Sequence, residues 1–202
     1  MDNRNGVIKG NIDDIHRVVN GIKGIIFDVD GVFTDNRVPE GGDSKMKYRS
    51  YYDGQGVSLL RAVGIRVCLV TNEKDASAKH IVDVVEKWNK LPSSLSAENP
   101  NGWEHVRLFT DVGGEKKSAV AEQWLNECNL EWNDCGVMGD DLVDYSMFKL
   151  AGFRSVPISG ELVLQDEAHF ISRRSAGNGA VRDLVNFILE EKGINSLGLP
   201  FQ

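Results

Sequence analysis

A chain of 202 residues with 23 basic and 30 acidic side chains, net charge −7, fits one ordinary domain and excludes a general nucleic-acid binder, whose affinity needs clustered Lys and Arg. Cys68, Cys128 and Cys135 are odd in number and lack CxxC spacing, which excludes a disulfide framework or metal knuckle and fits small buried hydrophobes in a reducing compartment. With no apolar run of membrane-spanning length and no apolar signal core after Met1-Asp2-Asn3-Arg4-Asn5, no membrane partner is expected and the expected location is cytoplasmic.

The elements alternate. Lys23-Gly-Ile-Ile-Phe-Asp-Val29 reads as a buried strand. Residues 33–53 carry no helical period, and within them Lys45, Lys47 and Arg49 alternate with Met46, Tyr48 and Ser50; this predicts a β-hairpin flap after the first strand. After Gly56 a helix is predicted from Val57, Leu60, Arg61 and Val63, and Arg66-Val-Cys-Leu-Val70 is the second strand. Ala78 to Leu91 is helical, with Ile81, Val84, Val85 and Trp88 on one face. Residues 89–105 hold turn formers without period and read as a long surface loop, whose Trp103 either lies over a substrate or, the favoured reading, anchors its own loop. Val106–Phe109 and Cys135–Met138 are the third and fourth strands, with a helix over Ala119 to Cys128 between them and a last amphipathic helix over Val181 to Leu189. Short apolar strands alternating with helices predict a doubly wound α/β domain with a mostly parallel sheet, spanning 1–202 as a single unit without a large cap. Ligands of such folds sit at the carboxyl ends of the strands.

Polar clusters stand at those ends. Asp28-Val-Asp30-Gly31 closes the first strand, where two carboxylates can converge on one cation or flank one reacting group, or else be solvated turn residues. A calcium loop is excluded by Val32 and Phe33 at its fifth and sixth places and Pro39 where the closing Glu should be. Thr71-Asn72 follows the second strand and offers a hydroxyl and an amide, or a helix start. Gly113-Gly114-Glu115-Lys116-Lys117-Ser118 is not a P-loop, because Lys116 replaces the required Gly; a lysine at a helix N-terminus opposes the dipole at a cost of about 0.3–1 kcal/mol, so Lys117 is expected to serve something anionic. Gly139-Asp140-Asp141-Leu-Val-Asp144 follows the fourth strand, and its bland reading is a capped helix start.

Together these clusters resemble the four motifs of the haloacid dehalogenase superfamily of phosphohydrolases: Asp28-Val-Asp30-Gly31-Val32-Phe33-Thr34, Thr71-Asn72, Lys117 and Gly139-Asp140-Asp141, in that order. Within it, Asp53-Gly54-Gln55-Gly56-Val57-Ser58-Leu59-Leu60, Gly139-Asp-Asp-Leu-Val-Asp144 and Gly177-Asn-Gly-Ala-Val-Arg182-Asp183 resemble a small-cap branch. That branch comprises octulosonate 8-phosphate phosphatases and the phosphatase-like tail of acylneuraminate cytidylyltransferases. The resemblance covers roughly residues 20–192. It implies that Asp28 is a nucleophile and Asp30 its acid and base, with Thr71, Asn72 and Lys117 on the phosphate and Lys116 as the alternative lysine. A dianionic phosphate among carboxylates calls for a hard cation, since like charges about 4 Å apart repel by roughly 4 kcal/mol at an effective dielectric of 20. Mg²⁺ is assigned to Asp28, the Asp30 carbonyl and Asp140, with Asp141 as outer or alternative ligand. Candidate contacts to a sugar acid phosphate are Lys45, Lys47, Arg49, Asp53, Gly54, Arg173, Arg174 and Arg182; the hairpin residues among them also read as a solvated strand face and Arg173, Arg174 and Arg182 as helix-end or surface charges.

The branch also implies a homotetramer whose subunits close one another's sites with the hairpin and C-terminal segment. A non-catalytic assembly module, as in a cytidylyltransferase tail, is the second reading. A receiver domain shares an acidic pair, Thr and Lys, and Phe109-Thr110-Asp111-Val112 could supply its phosphorylated Asp; chain length, the hairpin and Gly139-Asp140-Asp141 disfavour it. Three features depart from the branch: Asn36 where Gly is usual, Asn178 where a basic residue is common, and the extra loop between Thr71 and Lys117.

Overall fold

The computed structural model describes residues 2–38 and 46–200. Among the described residues eight strands form one sheet: β1 (Asp2–Asn3), β2 (Gly6–Ile8), β3 (Gly24–Asp28), β4 (Arg66–Val70), β5 (Arg107–Phe109), β6 (Cys135–Met138), β7 (Phe153–Val156) and β8 (Phe170–Ser172). Their order is β1-β2-β8-β7-β6-β3-β4-β5, parallel from β8 to β5, with β1 and β2 antiparallel at one edge. The helices are α1 (Ile12–Gly21), α2 (Tyr51–Ala62), α3 (Asp75–Asn89), α4 (Lys116–Glu127), α5 (Tyr145–Phe148), α6 (Leu162–Glu167) and α7 (Ala180–Glu191). From β3 the chain moves outward through β4 to β5, then returns to β6 on the other side. The reversal lies between β3 and β6, which is where an open α/β sheet leaves a crevice.

The apolar runs are continuous because both sheet faces are covered. Ile25 and Phe27 of β3, with Val67 and Leu69 of β4, pack against α1, α2, α3 and α7 through Val19, Leu60, Trp88 and Val185. Ile26, Cys68 and Val70 face the opposite way, onto Trp124 and Leu125 of α4 and Met147 and Phe148 of α5. A one-residue slip would exchange these two cores, so the register is fixed by burial.

The doubly wound α/β expectation holds, and the four predicted strands lie within a residue or two of β3 to β6. Two expectations are corrected. Helix α2 begins at Tyr51, capped by the Ser50 hydroxyl, so residues 51–53 belong to a helix and not to the hairpin. Among the described residues the flap is held by a single antiparallel bridge between Thr34 and Arg49, with Lys47 turned inward and Met46 and Tyr48 outward; Lys45 lies outside the described residues. Cys68 and Cys135 are buried, whereas Cys128 is half-buried.

The 89–105 loop is stapled by Arg61. Its guanidinium donates to the carbonyls of Glu104 and Trp88 at 2.8 and 3.0 Å and to Ser94 Oγ at 2.8 Å, and lies over the Trp103 ring. Trp103 therefore anchors its own loop. Because α3 ends and β5 begins there, the loop sits at the end of the sheet away from the acidic clusters.

Candidate active site

Asp28 is the last residue of β3, buried, and directed into the crevice. The chain then turns sharply: the amides of Val32, Phe33 and Thr34 all reach the carbonyl of Val29, and Phe33 drops onto Phe27 edge to face. Gly31 makes the turn possible. Its φ is +89°, and a Cβ there would sit 1.9 Å from the Asp140 carboxylate.

Lys117 comes from the first turn of α4 and is 1 % exposed. Its Nζ donates to Asp28 Oδ1 at 2.6 Å and to Asp144 Oδ1 at 2.7 Å, so two carboxylates offset the unfavourable dipole position. The fallback, Lys116, is exposed. Asp144 Oδ2 accepts from the amides of Asp140 and Asp141 at 3.0 and 3.4 Å, fixing the loop after β6. Asp28, Asp140 and Asp144 each bring a carboxylate oxygen within 4.8 Å of the others.

Three buried carboxylates against one lysine leave excess negative charge. Burial pushes the Asp28 carboxyl well above the usual range, Asp144 and Asp140 add to the push, and Lys117 opposes it. Asp140 rises to about 7 through burial and then through Asp144 and Asp141. Burial would lower Lys117, but Asp28 and Asp144 outweigh it and hold the ammonium charged. Chelated protein should therefore lose stability as pH rises from about 4, where unfolded Asp ionises, to about 7, because in that window the folded state binds the extra proton. Melting temperatures across that range in EDTA, for wild type and Asp140→Asn, should show a shallower fall in the variant. A hard divalent cation with oxygen ligands is the group this donor set fits.

Asp30 is half-buried beside them. Its Oδ1 accepts from Lys47 Nζ at 2.5 Å and Thr34 Oγ1 at 3.1 Å, and its Oδ2 from Thr71 Oγ1 at 3.3 Å. Lys47 also reaches Glu73 at 2.8 Å; burial would lower its pKa, but the two carboxylates raise it. Thr71 is held at the end of β4 by the Phe109 carbonyl. A cavity of about 130 Å³ is lined by Asp28, Asp30, Asn36, Thr71, Asn72, Lys117, Asp140, Asp141 and Val143. Here seven predicted catalytic, phosphate and metal residues meet.

Of these seven, Asp141 is exposed at the cavity rim and its carboxylate caps Leu142 N at 2.6 Å; the third carboxylate beside Asp28 and Asp140 is Asp144. Other predicted residues do not meet there. Asp53 is fully buried, and its two oxygens accept from the amides of Gly179 and Arg182, capping α7, so it has no free face for a ligand. Burial pushes its carboxyl up to about 6. Arg174 is paired with Asp183 at 2.7 Å, Arg182 donates to Asn186, and Arg173 to the Asn3 carbonyl. Arg49 and Gly54 line a separate cavity behind the flap. The residues that sequence reasoning missed are Asp144, read only as a cap, and Asn36, noted only as a departure. Asn36 takes up φ +59°, which Asn tolerates, and donates to Asp140 Oδ2 at 3.2 Å.

No family model matches the chain. By sequence it is 28 % identical over 167 residues to the N-acylneuraminate cytidylyltransferase of Oncorhynchus mykiss, 82 % of this chain but 34 % of that protein; the chain thus spans about a third of that relative's length. It is 25 % identical over 178 residues to the 3-deoxy-D-manno-octulosonate 8-phosphate phosphatase of Yersinia pestis, covering 88 % of this chain and 84 % of the relative. The fold is shared with the crystal structure of the Moraxella catarrhalis 3-deoxy-D-manno-octulosonate 8-phosphate phosphatase in complex with a magnesium ion, a phosphate ion and KDO. The TM-score is 0.75 at 20 % identity, over 91 % of this chain and 94 % of that one.

Proposed function

We propose that this phosphatase of the haloacid dehalogenase type hydrolyses the phosphomonoester of an acidic sugar, an eight- or nine-carbon ulosonate, with Mg²⁺ and through a phosphorylated Asp28. The observation that carries the reading is Lys117, buried between Asp28 and Asp144 with Asp140 alongside, at the carboxyl edge of the sheet.

The residues divide the work. Asp28, the foremost carboxylate of β3, attacks phosphorus in line. Asp30 protonates the departing sugar oxygen and then takes a proton from the water that cleaves the intermediate. The Thr71 hydroxyl, the Asn72 backbone and Lys117 hold the phosphoryl oxygens. Asp144 is a positioning residue: it fixes Lys117 and, through two backbone amides, the loop that carries Asp140. Asp28, Asp140 and the Asp30 carbonyl would hold Mg²⁺, with Asp141 at the rim. When bound, the ion neutralises phosphate charge that these carboxylates would otherwise repel. Phosphate release from a panel of octulosonate 8-phosphate, nonulosonate 9-phosphates and an aryl phosphate should appear with Mg²⁺ and vanish with EDTA. A panel without turnover above an Asp28→Asn control would sink the enzyme reading.

The match to part of a cytidylyltransferase supports a second reading, a non-catalytic assembly module. The same panel separates the two.

Assembly belongs to both readings. Tyr48, Tyr51 and Tyr52, on and just after the flap, are 67, 86 and 63 % exposed, and Arg174 lies 5.6 Å over the Tyr52 ring. Such an aromatic surface favours a homotetramer in which flap and C-terminal segment approach a neighbour's site. Light scattering after size exclusion should give about four times the 22.4 kDa chain mass, and a clean monomer would refute the tetramer. Three free thiols fit the proposed cytoplasmic location.

A further inference from the structure

Behind the flap, between α2 and α3, lies a second cavity of about 220 Å³, lined by Arg49, Tyr51, Gly54, Gln55, Ser58, Val84, Lys87, Trp88 and Leu91. Its chemistry is one-sided. Arg49, Lys87, Gln55 and Ser58 offer a guanidinium, an ammonium, an amide and a hydroxyl, while no Asp or Glu among the described residues lines it. Among those residues neither Arg49 nor Lys87 has an ion-pair partner; Arg49 only rests over the Tyr51 ring at 5.5 Å. Gln55 Nε2 is buried without a hydrogen-bond partner, and a buried donor left unpaired is costly. The remaining wall is apolar: the Trp88 indole, Val84 and Leu91. Unpaired donors opposite an aromatic and aliphatic wall describe the complement of a carboxylate on a flat or apolar body. At about 30 Å³ per water-sized group, the volume corresponds to roughly seven such groups, the scale of a small organic acid.

We infer that this cavity binds a small organic carboxylate, held by Arg49, Lys87 and Gln55 Nε2 with its body against Trp88, at a site separate from the Asp28 centre. Its position at the flap root is set by Arg49, whose backbone bridges to Thr34, the residue whose hydroxyl donates to Asp30. The inference does not depend on the proposed reaction, since binding alone reads it out.

The test is calorimetric titration of the full chain with benzoate in EDTA, on wild type and on Lys87→Met and Gln55→Leu, each first checked for native circular dichroism and melting. Loss of one charge-assisted contact should weaken benzoate at least about tenfold in each variant. In a second titration without EDTA, inorganic phosphate with Mg²⁺ should not displace it. Absence of binding to wild type, equal binding in both folded variants, or displacement by phosphate, which would put the carboxylate at the Asp28 centre, each overturns the inference.

Discussion

Asp28→Asn is expected to lower phosphate release by about 10⁴-fold or more while leaving the fold within a few degrees of the wild-type melting point. The first part follows from role: an amide is no nucleophile, and removing the group that forms a covalent intermediate costs rates of this order. The second follows from surroundings. Asp28 shares its buried site with Asp140 and Asp144, and burial and both neighbours already disfavour its charge. The amide relieves that repulsion as it gives up one bond to Lys117, which keeps Asp144 at 2.7 Å. A variant that is inactive because it has unfolded would contradict the balance described here.

Lys117→Met should show the opposite profile, inactive and clearly destabilised. The side chain is 1 % exposed and is the counter-charge to two carboxylates of which one is fully buried. Removing one partner of a buried ion pair costs about 3–5 kcal/mol, because uncompensated charge stays behind. In a chain of this size that corresponds to a melting-point loss of roughly 10 °C. Chelated wild type and variant should differ most, and Mg²⁺ should return part of the loss if the carboxylates hold the ion. Adding Asp144→Asn to Lys117→Met should recover stability without recovering activity, a coupling that two independent sites would not show.

Much of this centre was legible because it rests on strand ends. β3, β4 and β6 are short apolar runs whose next residues must leave the sheet at its carboxyl edge, so Asp28, Thr71 and Asp140 converge once the strands are parallel neighbours. Lys117 was legible from its poor place on a helix. Asp144 was not: its spacing from Asp141 suits a cap, and only the returning α4 supplies the lysine that changes its meaning. Strands β1, β2 and β8, on one side of the sheet, are two or three residues long and carry too little pattern to find. Arg174 and Arg182 were chosen from the resemblance and their charge, and Asp183, nine residues on from Arg174, and Asn186, one turn on from Arg182, take them up.

Asp53 carries a consequence for anyone screening variants of this chain. The helix it caps opens on Gly179, a residue with no side chain to do so, and Asp53 reaches across from another helix to supply the missing acceptor. In a saturation screen scored on activity, position 53 should therefore be as intolerant as position 28. Scored on soluble yield, the two should part company: abundance would fall for substitutions at 53 and hold for Asn at 28, so the pair of readouts sorts scaffolding aspartates from reactive ones.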